Sequence, residues 1–160
     1  MRAPLPAVTL AFALFLTGCP MPENAAARMQ TTASDFNTDV RFGRTSLAVD
    51  KVSPKEREEF LERRKKWGVG IEIADYELIS AKMVGNEDAV VIVKYDWFDI
   101  AINELHSSKL RQKWHSYKGT WLLDAEALEA GAPGLLGEAV AEAPAAPPRN
   151  VQFPTVRIGD

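Results

Sequence analysis

The chain has 160 residues, 22 acidic against 19 basic side chains and a net charge of −3, and it carries no large basic block, which argues against a nucleic-acid binder. One cysteine excludes an internal disulfide, and two histidines with no cysteine partner leave metal chemistry without a ligand set. The length suits a single domain with tails.

Arg2 is the only charged side chain before Cys19, and Ala7 to Leu16 is apolar except for Thr9. This basic start and brief apolar core read as an export signal, because a stable bilayer span needs about 20 apolar residues. The run Leu16-Thr17-Gly18-Cys19 resembles the lipobox of bacterial lipoproteins. That resemblance implies a diacylglyceryl thioether on Cys19, cleavage after Gly18 and acylation of the new amino terminus. Two or three acyl chains hold a protein firmly where one does not. Pro20 stands where an aspartate would imply retention in the inner membrane, so the family rule favours the periplasmic face of the outer membrane, with the inner membrane or cell surface as the other addresses. The alternative is an ordinary secretory signal with an incidental cysteine. No other run of residues is long and apolar enough to span a membrane.

Residues 1–18 are thus a signal peptide and 19–27 a lipidated tether. A short helix is compatible with 25–34, and Phe42, Val49 and Val52 fit one face of a second over 41–52, with Gly43 a weak point. The third helix is the most fully specified. Ser53, Pro54 and Glu56 form an S-x-x-E start, Arg63, Arg64, Lys65 and Lys66 crowd a solvated last turn, and Gly68 stops it. Phe60 and Trp67 share its apolar face. Beyond Gly70 the period becomes that of strands. Ile71 and Ile73, then Tyr76 and Leu78, step by two with a shift that allows a bulge, before the turn at 85–88. A second strand over 89–98, a turn over 102–108, a third strand over 109–117 and a fourth after Gly119 complete an antiparallel meander, with a further helix possible at 125–130. The expected class is α+β: two or three helices on a curved sheet of about four strands.

The helix ending in Trp67-Gly68, the Tyr95-Asp96-Trp97 run and above all Gln112, Trp114, Gly119 and Trp121 resemble the nuclear-transport-factor-two-like superfamily. The resemblance covers about residues 25–130, with the domain itself at 28–130. It implies a sheet curled into a cone with helices across its mouth, and dimers through an exposed sheet face in many members. Candidate pocket or sheet residues are Tyr76, Tyr95, Trp97, Asp99, His106, Trp114 and Trp121. Isomerases and cyclases of that superfamily place Asp, Tyr or His in the cone, and Asp75, Tyr76, Tyr95, Asp96, Asp99 and His106 are the residue types present. None falls in a catalytic motif. No nucleophile elbow, phosphate cradle or metal motif occurs, His106 is expected in a turn with His115 in the next strand, and no cofactor is indicated. Buried packing is the simpler use of the aromatics.

From Gly131 the chain turns to Ala, Pro, Gly and Glu, so 131–160 reads as a linker, disordered and with little to bury, closed by an apolar segment with Val151, Phe153, Val156 and Ile158. That segment either folds back or adds to the sheet edge of an envelope partner. The sequence therefore supports a non-catalytic, membrane-anchored envelope lipoprotein acting as a protein-binding or assembly module. Its alternatives are a small-apolar-ligand carrier or sensor with a cone pocket, and an isomerase or lyase. Cys19→Ser should accumulate as an unlipidated precursor, read by intact mass and membrane fractionation; a mature mass and membrane fraction equal to wild type would reject the lipobox.

Overall fold

The computed structural model describes residues 24–139. Three helices precede a four-stranded antiparallel sheet in meander order, an α+β arrangement with the helices across the concave face. Cys19 and the C-terminal residues Val151, Phe153, Val156 and Ile158 lie outside the described residues.

Helix α1 (Ala25–Arg41) is much longer than the sequence reading allowed and begins inside the expected tether. Asn24 caps it, its Oδ1 accepting from the Ala27 amide at 2.8 Å. Met29, Ala33, Phe36, Asn37 and Val40 form its buried stripe, which recurs at helical spacing but includes an asparagine that breaks a purely apolar pattern. The helix expected over 41–52 is divided: Gly43, at φ +66°, ends α1 in the left-handed conformation that glycine adopts without strain, and α2 is only Thr45–Asp50. Asp39 clamps the corner, 3.0 Å from Arg44 Nε and 2.8 Å from Lys51 Nζ.

Ser53 does not cap the third helix. Its amide donates to Leu123 O at 2.9 Å, so the segment before α3 (Arg57–Arg63) is spent on pairing with the sheet, and the helix starts after a tight turn from Ser53 O to the Glu56 amide. The other end also differs. Past Arg63 the chain tightens into i→i−3 bonds, Arg64 N to Leu61 O and Trp67 N to Arg64 O, which swing Arg64 inward from the solvated face assigned to it.

The sheet comprises β1 (Ile71–Val84), β2 (Asp88–Asp99), β3 (Glu104–Tyr117) and β4 (Thr120–Gly131). A register shift between Ile73 and Asp75 turns Ile71, Ile73, Tyr76 and Leu78 to one face, where the sequence allowed a bulge. Two expectations fail here. The turn after β2 is confined to residues 100–103, so His106 lies in β3, opposite Trp97. Residues 125–130 are strand, not helix: Lys118 and Gly119, both at positive φ, form the two-residue turn that sets β4 antiparallel to β3, and pairing overrides the helical preference of Ala, Leu and Glu.

Beyond β4 the chain returns to the core instead of leaving as linker. Gly131 lies so close to β3 that an added Cβ would stand 2.4 Å from Ser107 O, which lets Ala132 N reach that oxygen at 2.9 Å. Leu135 and Leu136 are buried, and Leu135 O accepts the Trp67 indole N–H at 2.7 Å.

Trp114 packs edge-on to Phe36 at 5.4 Å, joining sheet to α1, and Trp121 is likewise buried. Neither indole N–H has a hydrogen-bond partner among the described residues, so both rings act through packing. Trp114→Ala should cost about 3–5 kcal/mol, whereas Trp114→Phe should keep most of the stability; calorimetric melting of the two variants checks this, and an unmoved transition in Trp114→Ala would place the ring outside the core.

Candidate functional site

The concave face carries polar groups at its centre. From α1, Asn37 Nδ2 donates to Ala33 O at 2.7 Å and to Gln112 Oε1 at 3.2 Å; from β3, Gln112 Nε2 donates to Asn37 Oδ1 and to Glu126 Oε1, each at 2.9 Å. The Tyr95 hydroxyl of β2 donates to Asn37 Oδ1, and Arg64 Nη2 donates to Glu126 Oε2. Arg63 Nη1 reaches the backbone oxygen of Glu126 at 2.6 Å. Each strand places its member by local geometry. Leu110, Gln112 and Trp114 alternate inward on β3, while the register shift that leaves Asp124 unpaired on β4 moves the inward phase from Leu123 to Glu126.

Asn37, Tyr95, Gln112, Glu126 and Arg64 are buried, Arg63 is half-buried, and the Arg64–Glu126 ion pair is 4% exposed on each side. Burial pushes the Tyr95 phenol well above its ordinary value; the Glu126 carboxylate adds to the rise and Arg64 opposes it in part. Tyr95 is therefore a fixed hydrogen-bond donor. Arg64 is flanked by aromatic faces, its guanidinium carbon 4.0 Å from the Phe60 ring centre and 4.7 Å from that of Trp67.

Beside this cluster a cavity of about 260 Å³ opens between the end of α1, α2, α3 and the start of β1. Val40, Ala48, Phe60, Arg64, Trp67, Ile71 and Ile73 are among the residues lining it. None of the seven residues read from the sequence as pocket or sheet candidates does so; all seven lie on strands. Tyr95, Trp114 and Trp121 are core. Tyr76 is half-buried, its hydroxyl 2.7 Å from Thr38 Oγ1 and 3.2 Å from Ser34 O. Trp97 donates to Ser108 Oγ at 2.9 Å, with the His106 ring 4.7 Å from its own. Asp99 accepts from the Ala101 amide at the β2–β3 turn.

The remaining acid–base candidates are also dispersed. Asp75 pairs with Arg41 at 2.9 Å. Asp96 meets Lys94 at 3.0 Å; partial burial alone would raise its carboxyl, but hydrogen bonds from Lys94 and Ser107 with the ammonium charge outweigh this and hold it below the usual range. His115 lies 2.8 Å from Asp88 across β2 and β3, away from His106. Among the described residues, no three His, Cys, Asp or Glu side chains are grouped to hold a metal ion. Sequence reasoning missed Asn37, Arg64 and Glu126. Gln112 entered only as part of the Gln112, Trp114, Gly119 and Trp121 resemblance, and inward alternation along β4 would have found Glu126 had the bulge at Asp124 been foreseen.

No protein-family model and no curated protein matches the chain. Its fold is similar to that of a SEC-C motif containing protein from Rhodopseudomonas palustris, with a TM-score of 0.50 and 14% identity over 66% of this chain and 80% of that one. Other similar structures are the intermembrane space region of the chloroplast protein ARC6 (TM-score 0.46, 10% identity, 67% of this chain and 98% of that one) and a cystatin-like protein of unknown function from Nostoc punctiforme (0.46, 12%, 66% and 90%). At these identities the likeness concerns fold alone.

Tyr95→Phe should cost about 0.5–1.5 kcal/mol, since Asn37 Oδ1 keeps the Gln112 donor. It should also flatten the alkaline limb. The folded chain holds the Tyr95 proton while the unfolded chain releases it above about pH 10, so this contribution to stability is full below that value and is lost as pH rises through it. Denaturant titrations at about pH 9 and about pH 11 should show a larger loss in wild type than in the variant; equal losses would mean the phenol is not buried.

Proposed function

We propose that the protein is a lipid-anchored envelope protein whose cone-shaped domain, of the nuclear-transport-factor-two-like kind, acts as a binding or assembly module and not as an enzyme. One observation carries the non-catalytic part of this reading. The polar side chains at the centre of the concave face, where acid–base catalysis in such a cone would operate, are engaged with one another in the Tyr95–Asn37–Gln112–Glu126–Arg64 network. General acid–base catalysis needs a titratable group facing a reacting atom, and Asp75, Asp96, Asp99 and His106 are held at scattered sites. The anchor and the outer-membrane address rest on the lipobox resemblance at Cys19 and on Pro20.

The partner contact in this reading is the apolar segment around Phe153, joined to the domain by a Pro- and Ala-rich stretch and suited to pairing with a strand edge of an envelope protein. A second reading, a small-apolar-ligand carrier or sensor, is favoured by the cavity beside Arg64. Phe153→Asp in the lipidated protein should abolish co-purification of an envelope partner while leaving the melting transition in place. A variant that melts early would make the segment part of the fold, and one that changes neither property would end the partner reading.

A further inference from the structure

Large apolar side chains are exposed together at one end of the domain. The β2–β3 turn carries Ile100 and Ile102, and Phe98 and Leu105, partners in register, flank it and are also exposed. The Ile100 amide donates to Gly70 O at 3.0 Å, which brings Val69 alongside. Val69 is 80% exposed, Leu105 60% and Ile102 59%. Clustered apolar surface of this kind marks an interaction site. A groove of about 460 Å³ adjoins it, lined by Val69, Trp97 and Ala101 together with Gly134, Gly137 and Glu138. The last of these stand close to the end of the described chain, so residues 140–160 begin beside the groove.

We infer that this end of the domain is the resting site of the chain's own residues 151–158, with Phe153 in the groove and Val151, Val156 and Ile158 against Ile100, Ile102 and Leu105. Reach is ample. Phe153 lies 15 residues beyond Glu138, about 46 Å if extended as polyproline, and it has only to turn back to a groove beside which its own tether starts. Tethering by a short flexible linker gives an effective concentration of about 1 mM, about a thousandfold above a free partner at about 1 μM. Charge agrees. Arg149 and Arg157 bracket the apolar residues of the segment, while Asp99 and Glu104 stand beside the patch without a lysine or arginine partner among the described residues. A second copy of the chain fits less well, because five exposed side chains are few against the roughly 20–30 residues a side of a standard interface. A bilayer also fits less well. Arg28 and Thr31 of α1 lie by Gly119 to Leu122 and Arg41 by Ile71, so a lipid on Cys19 would hold the end of the domain opposite the patch. The inference rests on the reading of this segment as a partner contact and adds the place where it waits.

The test follows the methyl signals of Ile100, Ile102 and Leu105 in the full chain in nanodiscs, with the exposed Ile79 and Val84 of β1 as controls. Phe153→Asp should shift the first set and leave the controls in place. A synthetic peptide of residues 149–160 should bind the vacated patch of Phe153→Asp and bind wild type about threefold more weakly, the factor expected where a tethered copy holds the site for about two-thirds of the time. A site held this loosely moves the melting transition little. Leu105→Asp, a substitution at the surface, should remove peptide binding in the Phe153→Asp background. Patch signals that are the same in wild type and Phe153→Asp, equal peptide affinity in the two, or peptide binding that survives Leu105→Asp would each overturn the inference. So would a peptide that gives no shift at about 1 mM, the concentration the tether supplies. Patch shifts that fade on dilution would assign the surface to a second copy, and broadening by a spin-labelled lipid would assign it to the bilayer; both overturn the inference as well. An unmoved patch with lost partner capture in Phe153→Asp would end this inference and leave the partner reading. A shifted patch with unchanged capture would end the partner reading and leave the contact.

Discussion

The ion pair between Arg64 and Glu126 organises this domain. It joins the chain just after α3 to the fourth strand, and through Gln112 and Asn37 it extends to β3 and α1. Burying two charges is unfavourable by itself, and their attraction offsets the loss only where further hydrogen bonds satisfy the remaining groups. Here Gln112 Nε2 donates to the second carboxylate oxygen of Glu126, and the Phe60 and Trp67 rings flank the Arg64 guanidinium. Removing one partner leaves the other charged and buried, a cost of about 3–5 kcal/mol. That asymmetry fixes where the segment after α3 must lie, and with it Trp67, the Leu135 carbonyl that Trp67 reaches, and one wall of the cavity.

Placement along α1 links this core to the proposed anchor. The helix has 17 residues and so runs about 25 Å, with its start nearest Cys19 in sequence and its end at the cavity. Residues 20–24 reach at most about 17 Å when fully extended. In the lipid-anchored arrangement proposed above, a lipid on Cys19 would hold the chain close to the start of α1. The same arrangement leaves the chain beyond residue 139 starting beside the end of α3, where Gly137 and Glu138 lie near Lys65 and Lys66.

The sheet was far more legible in the sequence than the site. The two-residue steps in β1, the Gly119 turn and the Gln112–Trp114–Trp121 run report local backbone geometry, and that geometry survived folding. The helices were less so. Asn37 interrupts the stripe of α1 because its partners, Tyr95 and Gln112, are distant in sequence, and no local pattern announces a long-range polar pair. Arg64 was assigned to a solvated helix end by its three cationic neighbours; its burial depends on Glu126, which only the bulge at Asp124 brings inward. The capping box at Ser53 failed for a similar reason, since a strand-like bond to Leu123 claimed the residue first. Local signals thus gave way wherever a residue found a better partner across the fold, and the candidate site is composed of such residues.

The polar network at the centre of the concave face is closed to water. Hydrogen exchange of the Asn37 and Gln112 side-chain amides measures this directly, with the exposed Gln30 amide as internal reference. The account predicts that both buried amides exchange only through global unfolding, with an opening free energy equal to the stability from denaturant titration. Exchange of either amide at the rate of Gln30 would show water at the centre of the concave face and would contradict the account.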